Sequence, residues 1–388
     1  MNILFVSAVF PYPLYSGGQI RIYNLLKVLS QKHSISLLSF IRTKEERTLS
    51  KELPFLSSVH TVYRGKAISS RYLIKVFGKY PLLMASYDNA TMREAIADAL
   101  SRRKYDLVHI EPFYVYPSLP KLSVPLVVGE HNIEYLVYKD HALSYPFSLL
   151  RPLLIADAEK MRRWEKRIWH SADWVTAVST RDARHIQPFV AKRVTVVPNG
   201  VDTSSFKFTL RTFDKTKPSC MYVGNFSWLP NREAIRRLLT DIWPAIVHSY
   251  PNATLAIAGQ SFPASLNRNL GRNVSVLEPD DIQCVYAASD ILLAPIGIRG
   301  GTKFKILEAM ANGTLVISTQ AGHDGIGTAT GIQMLEAKTP EDFVSAISQV
   351  YDNPRKACTI TKRASKFVER YSWQNIAQKL DFVWRSQS

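Results

Sequence analysis

The sequence predicts an α/β protein of two domains, each built on a parallel sheet. Three observations carry that prediction. Short apolar runs such as Asn2 to Phe10 are continuous rather than alternating, as in strands buried on both faces. Segments with helical spacing separate these runs along the chain, which is the order of repeated β-α units. At 388 residues the chain is long for a single core, so the size prior gives two domains of roughly 190 residues each.

The first strand, Asn2 to Phe10, ends at Pro11-Tyr12-Pro13, and Ser16-Gly17-Gly18 opens a helix over Gln19 to Lys32 with Ile20, Tyr23, Leu26 and Leu29 on one face. A strand, a glycine loop and a helix form the opening of a nucleotide-type α/β domain, although the loop lacks G-x-G-x-x-G and a purely structural turn competes. Ser34 to Ile41 gives the second strand and Arg93 to Arg103 a helix. Asp106 to Ile110 and Pro125 to Gly129 give further buried strands. The last of these runs into Glu130-His131-Asn132, where side chains past the carboxyl end of a parallel strand face the binding crevice. His131 is there placed to donate to a sugar hydroxyl or a forming transition state, against the alternative of a local helix cap. His109-Ile110-Glu111 has the same place one strand earlier and reads as structural.

Ala158 to His170 reads as a basic helix, Trp174 to Ser179 as a strand, and Val194 to Asp202 as a strand broken by Pro198-Asn199-Gly200. The domain boundary is set there, giving a first domain of residues 1–200 and a second of 201–370. The second domain repeats the pattern: a strand at Ser219 to Val223, a loop Gly224 to Asn231, a helix from Arg232 to Trp243, strands at 253–258, 274–277 and 291–295, and a helix at 282–288. Residues 371–388 close the chain as an amphipathic helix with Ile376, Leu380 and Val383 at helical spacing.

Charge is uneven. Of the formal +17, residues 1–200 carry 28 Lys and Arg against 16 Asp and Glu, or +12, and the remainder carry +5. The densest basic parts, Arg64 to Lys79 and Lys160 to Arg167, are interleaved with Tyr72, Phe77, Trp164 and Trp169. Basic segments mixed with aromatic residues suit an anionic membrane surface, and nucleic acid is disfavoured because no motif for it accompanies the charge. No run is long enough to span a bilayer, and the start lacks the basic region of a signal peptide. Cys220, Cys284 and Cys358 match neither metal nor redox spacing, so a reducing, cytoplasmic setting is expected.

The chemistry concentrates in Ile298 to Asn312, where Arg299-Gly300-Gly301-Thr302-Lys303 opens a short helix closed by Asn312-Gly313. Lys303 and Lys305 fall in its first turn, where the helix dipole is already positive and each cation costs about 0.3–1 kcal/mol if unanswered. A diphosphate bound by free backbone N–H groups turns that cost into attraction; lysines solvated in water are the competing reading. Glu308, nearly two turns on, suits the vicinal diol of a ribose.

Taken together these segments resemble the retaining glycosyltransferases of family 4, over nearly the whole chain. The resemblance rests on Ser16-Gly17-Gly18, Glu130-His131-Asn132, Val197 to Asp202, Tyr222 to Asn225, Ala288-Ser289-Asp290, Leu307 to Gly313 and Tyr371-Ser372-Trp373. It implies the GT-B fold, with two Rossmann-like domains facing across a cleft and the C-terminal helix returning to the first domain. It further implies transfer of a sugar from a nucleotide-diphosphate sugar to an acceptor hydroxyl with retained configuration. Carried onto this chain, Gly224, Asn225, Arg299, Gly301, Thr302, Lys303, Lys305 and Glu308 would bind the donor, and Gly17, Gly18 and His131 would line the acceptor side. His131, Lys303 and Glu308 would act in catalysis. No metal or other cofactor is implied, since Asp-x-Asp is absent and the departing phosphate accepts the acceptor's proton. The expected partners are a nucleotide sugar, a saccharide or lipid-linked acceptor, and an anionic membrane at the inner face of the cell.

Two positions depart from the family pattern. Gly300 stands where a second glutamate usually contacts the donor sugar, and Asn225 with Pro230 or Asn231 replaces the usual Arg and Lys after Gly224. Lys303, Lys305 and Arg299 are expected to compensate. The competing functions are an inactive nucleotide-sugar-binding subunit and, less favoured, a sugar-nucleotide epimerase of the same fold.

Overall fold

The computed structural model describes residues 1–64, 78–145, 147–192, 194–214, 216–278, 281–297 and 303–387. The chain divides into two compact units, Met1–Pro198 with Gln374–Ser388, and Asn199–Trp373.

In the first unit the strands are β1 (Asn2–Ser7), β2 (Ser34–Ile41), β3 (Ser58–Tyr63), β4 (Leu107–Glu111), β5 (Leu126–Glu130), β6 (Trp174–Ala177) and β7 (Thr195–Val196). They form one parallel sheet in the order β3-β2-β1-β4-β5-β6-β7. The sequential order reverses beside β1, so the crevice outside the carboxyl ends of β1 and β4 is the switch point where α/β sheets bind ligands. Register makes this concrete, because Ser7 pairs with Glu111 at those ends. The core lies on both faces of the sheet and includes Ile3, Phe5, Phe40, Ile110, Val128, Ile168 and Trp169, all essentially without exposure.

Helix boundaries follow capping more than apolar spacing. α1 (Gly17–Leu29) begins earlier than the predicted Gln19, because the Ser16 side chain accepts from the Gln19 amide and brings both glycines into the first turn. α2 (Ala90–Arg102) is likewise set by Asn89, which caps Met92. α3 (Glu134–Ser144) packs against α4 (Arg151–Ser171), which begins well before the predicted Ala158, with Pro152 in its first turn.

The second unit has β8 (Ser219–Val223), β9 (Thr254–Ala258), β10 (Val274–Leu277), β11 (Ile291–Ala294), β12 (Leu315–Ser318) and β13 (Leu335–Glu336), all parallel, in the order β10-β9-β8-β11-β12-β13. Its switch point lies between β8 and β11, so the loops that follow those two strands border it. The loop after β8 leads into α5 (Leu229–Arg237), again opened by a proline, and the segment after β11 leads into α6 (Phe304–Asn312), closed by Gly313 in the left-handed conformation. The final helix, α7 (Trp373–Arg385), belongs to the first unit from Gln374 onward. Among the described residues no helix is long and apolar enough to cross a membrane.

Candidate functional site

In the first unit the polar centre is Glu111, the last residue of β4, which has no exposed surface. Three donors converge on its carboxylate. Arg21 Nε of α1 donates to Oε1 at 2.5 Å, His131 Nε2 donates to the same oxygen at 2.8 Å, and His109 Nε2 donates to Oε2 at 2.9 Å. Burial alone would raise this carboxyl's pKa, yet Arg21 and the two imidazoles hold it well below the usual range, so it is ionised. Arg21 also donates to the carbonyls of Val197 and Pro198, both at 2.9 Å, which ties α1 to the chain beyond β7.

The tautomers follow from these partners. His109 accepts at Nδ1 from the Trp384 indole N–H of α7 at 3.0 Å, so its proton is on Nε2, and burial keeps the ring neutral by pushing its pKa down. His131 gives its Nε2–H to the ionised Glu111, which turns its Nδ1 edge toward the glycine loop. A methyl group at Gly18 would lie 3.6 Å from that Nδ1. The expected neighbours Gly17, Gly18 and His131 are thus together, with the imidazole half-buried and oriented from behind. Gly129 of β5 permits the arrangement, since a Cβ there would stand 2.8 Å from Glu111 Oε2.

The segment after β5 is pinned from its other end. Glu165 of α4 accepts the backbone N–H groups of Glu134 and Tyr135, each at 2.8 Å, and so caps α3 from a neighbouring helix. Glu130 turns inward and accepts from the Trp169 indole at 2.6 Å. Burial raises the pKa values of Glu130 and Glu165 far above the normal range, with repulsion from Glu165 on Glu130 and from Glu134 on Glu165 adding to it, while burial brings Glu134 to about 7.

In the second unit α6 carries Lys303 as its N-cap residue, with Lys305 and Glu308 one turn apart. Lys305 does not point into water. Its ammonium donates to the Tyr222 hydroxyl at 3.0 Å and to Asn231 Oδ1 at 2.8 Å, and lies 4.1 Å from the centre of the Tyr222 ring. Burial, with a smaller contribution from Lys303, lowers its pKa to about 7 against the opposing pull of Glu308. Asn231, one of the two positions considered for the family's second cation, thus holds a cation delivered from α6. Its amide is fixed, with Nδ2 donating to the Asn225 carbonyl at 2.9 Å. Gly224 makes room for it, since a Cβ there would meet Asn231 Cγ at 2.8 Å. The side chain of Asn225 is occupied locally, its Oδ1 accepting from the amide and hydroxyl of Ser227.

Glu308 is half-buried and accepts from the Tyr286 hydroxyl at 2.8 Å. Burial raises its pKa, while Tyr286 and Lys305 oppose the rise. Arg299, Gly300, Gly301 and Thr302 lie outside the described residues, as does most of the basic stretch Arg64 to Lys79. Within that stretch Arg64 is described, and it stacks 4.5 Å over the Tyr87 ring. Trp164 and Trp169 are buried, contrary to their expected place among membrane-facing aromatics, because the inner face of α4 packs on the core.

The sequence presents Glu111 as structural and Tyr222 and Asn231 only as motif positions, and does not single out Arg21 or Tyr286. Glu111 had a usable signal in its position at the carboxyl end of a strand. The others meet the site only through contacts between residues distant in the chain.

Comparison with known proteins gives consistent matches in both units. The family model described as "Glycosyltransferase Family 4" matches residues 15–205, and that described as "Glycosyl transferases group 1" matches residues 217–353. An uncharacterized 44.6 kDa protein in the cps region of Klebsiella pneumoniae is 23% identical over 386 residues, covering 95% of each chain. The putative glycosyltransferase YtcC of Bacillus subtilis is 23% identical over 336 residues, 76% of each. Among solved structures, sucrose-phosphate synthase from Thermosynechococcus elongatus aligns with a TM-score of 0.74 at 18% identity, covering 100% of this chain and 99% of that one. Anabaena HepE, in complex with UDP and glucose, aligns at 0.69 and 17% identity with both chains fully covered. The lipopolysaccharide outer core galactosyltransferase WaaB aligns at 0.63 and 15%, again with both fully covered. With tandem family matches on two parallel-sheet units, the chain belongs to the family 4 type of glycosyltransferases with the GT-B fold.

Proposed function

We propose that this protein moves a sugar from a nucleotide-diphosphate sugar to a hydroxyl of a saccharide or lipid-linked acceptor, with retained anomeric configuration and without a metal ion. The acceptor belongs to a cell-surface polysaccharide or glycolipid assembled at the inner face of the membrane. The observation that carries this reading is the pair Lys305 and Glu308 on α6, at the switch point of the second sheet. Lys305 is a buried cation held by neutral partners and lacking a full counter-charge, which favours an arriving diphosphate. Glu308, anchored by Tyr286, is the acceptor for a ribose diol.

The reaction breaks the bond between sugar and phosphate, so negative charge grows on the leaving diphosphate. Lys303 and Lys305 stabilise it in a site where water is scarce. The departing phosphate takes the acceptor's proton. In the first unit His131 is presented to a sugar hydroxyl, oriented by the ionised Glu111 behind it. The complexes of Anabaena HepE with UDP and with UDP-glucose support the donor class, and WaaB and the Klebsiella protein support the polysaccharide setting.

The test is a calorimetric screen of nucleotide sugars, followed by NMR of the product's anomeric proton in chelator-treated buffer. One nucleotide sugar should bind with an affinity that Glu308→Ala reduces at least tenfold, and the product should keep the donor's anomeric configuration. Binding without turnover across many acceptors would instead support the inactive subunit.

A further inference from the structure

The exposed apolar surface of the first unit is concentrated where α3 turns into α4. Leu149 is 93% exposed, Phe147 66% and Leu143 53%, and Leu150, Pro152, Leu153, Ile155 and Ala156 continue the surface. Soluble monomers rarely expose so many adjoining large apolar side chains. The chain from Ala142 to Ala156 contains no Asp or Glu. Beyond it the exposed face of α4 changes character, since Pro152, Ala156, Glu159, Arg163 and Arg167 fall at helical spacing, with apolar residues first and charged ones after, and Arg163 pairs with Glu159 at 3.4 Å. On α3, Lys139 is exposed one turn before Leu143 and shares its face.

We propose that the α3–α4 turn is a membrane-docking tip, in which Phe147, Leu149, Leu150 and Leu153 enter the boundary between headgroups and acyl chains of an anionic bilayer. Lys139 and Arg167 then meet lipid phosphates, and Arg163 exchanges its Glu159 partner for one. This deepens the proposed membrane setting and rests on it only for its purpose, since lipid binding is measured without donor or acceptor. The lipid surface is favoured by charge. A tip free of carboxylates on a half of the chain that carries +12 complements an anionic surface, whereas a second copy would bring two basic faces together. The placement also differs from the sequence expectation, because the tryptophans of α4 face the core and the exposed apolar side chains precede them.

The full chain is tested by sedimentation with phosphatidylglycerol/phosphatidylcholine vesicles and with phosphatidylcholine alone, at low and high salt. Wild type should sediment with the anionic vesicles and keep part of that binding at high salt, because apolar insertion is not screened. The double substitution Phe147→Ser, Leu149→Ser should lower the partition coefficient about tenfold or more. Its unfolding midpoint and its nucleotide-sugar affinity should be unchanged. Arg163→Gln with Arg167→Gln should lower only the salt-sensitive part. Equal binding by wild type and the double Ser variant would overturn the proposal. So would a wild-type dimer seen by light scattering that the same substitutions dissolve, since that would assign the tip to a second copy.

Discussion

At the scale of the residue, Lys305 is a charge kept where folding does not favour it. Its pKa of about 7 in the folded protein lies below the ordinary 10.5. Below pH 7 the ammonium is charged in both states and the full burial penalty is felt. Between about 7 and 10.5 the unfolded chain binds more protons, so this group makes stability rise with pH. Lys305→Met removes the penalty while leaving the Tyr222 hydroxyl its contact with Asn231 Oδ1 at 3.3 Å. The variant is therefore expected to be more stable than wild type by on the order of 2 kcal/mol at pH 6, by a margin that shrinks toward pH 10. Urea denaturation at several pH values measures it, and nucleotide-sugar affinity should fall at least tenfold in the same variant. The sequence made half of this legible. Two lysines in a helix's first turn marked an anion site, but the burial of Lys305 against Tyr222 was hidden, because Tyr222 lies 83 residues away and no local pattern joins them. Glu111 was visible at the carboxyl end of a strand and read as structural, because its long-range partners were hidden. His109 is its neighbour on β4, whereas Arg21 and His131 come from a helix and a loop that reach it only through the β1–β4–β5 pairing.

At the scale of the element, α7 is tied into the first unit at two points. Trp384 is buried and donates to His109, and Asp381 accepts from His33 at 2.6 Å. Trp384→Phe keeps most of the packing but leaves His109 Nδ1 an unsatisfied buried acceptor. The expected loss is about 1–2 kcal/mol in chemical denaturation, with the slope unchanged. A loss this small would separate the hydrogen bond from the ring's packing, whose removal in Trp384→Ala should cost about 3–5 kcal/mol. The amphipathic spacing of Ile376, Leu380 and Val383 announced this helix, and continuous apolar runs announced the strands. Helix starts were less legible, since Ser16 and Asn89 moved them by side-chain capping. The first turns of α4 were hidden by Leu153, Leu154 and Ile155, whose apolar crowding has no helical period because part of it faces solvent.

At the scale of the molecule, each unit has its own parallel sheet and buried core, so ligand energy delivered to one is expected to stay there. The alternation of apolar runs and amphipathic helices was enough to read two such sheets from the sequence, because both follow from period and order alone. A nucleotide sugar at a hundred times its dissociation constant stabilises the binding unit by about 2.7 kcal/mol, which slows exchange through that unit's unfolding about a hundredfold. Hydrogen exchange followed by mass spectrometry should show this slowing in β8, β9, β11 and β12, with the strongest local protection at Gly224–Asn231 and α6. Strands β1, β2, β4 and β5 should keep their rates. If β1–β5 slow equally, the two cores unfold as one. If the strands slow but Gly224–Asn231 and α6 gain no local protection, α6 is not where the nucleotide binds, and Lys305 is buried for a reason other than the donor.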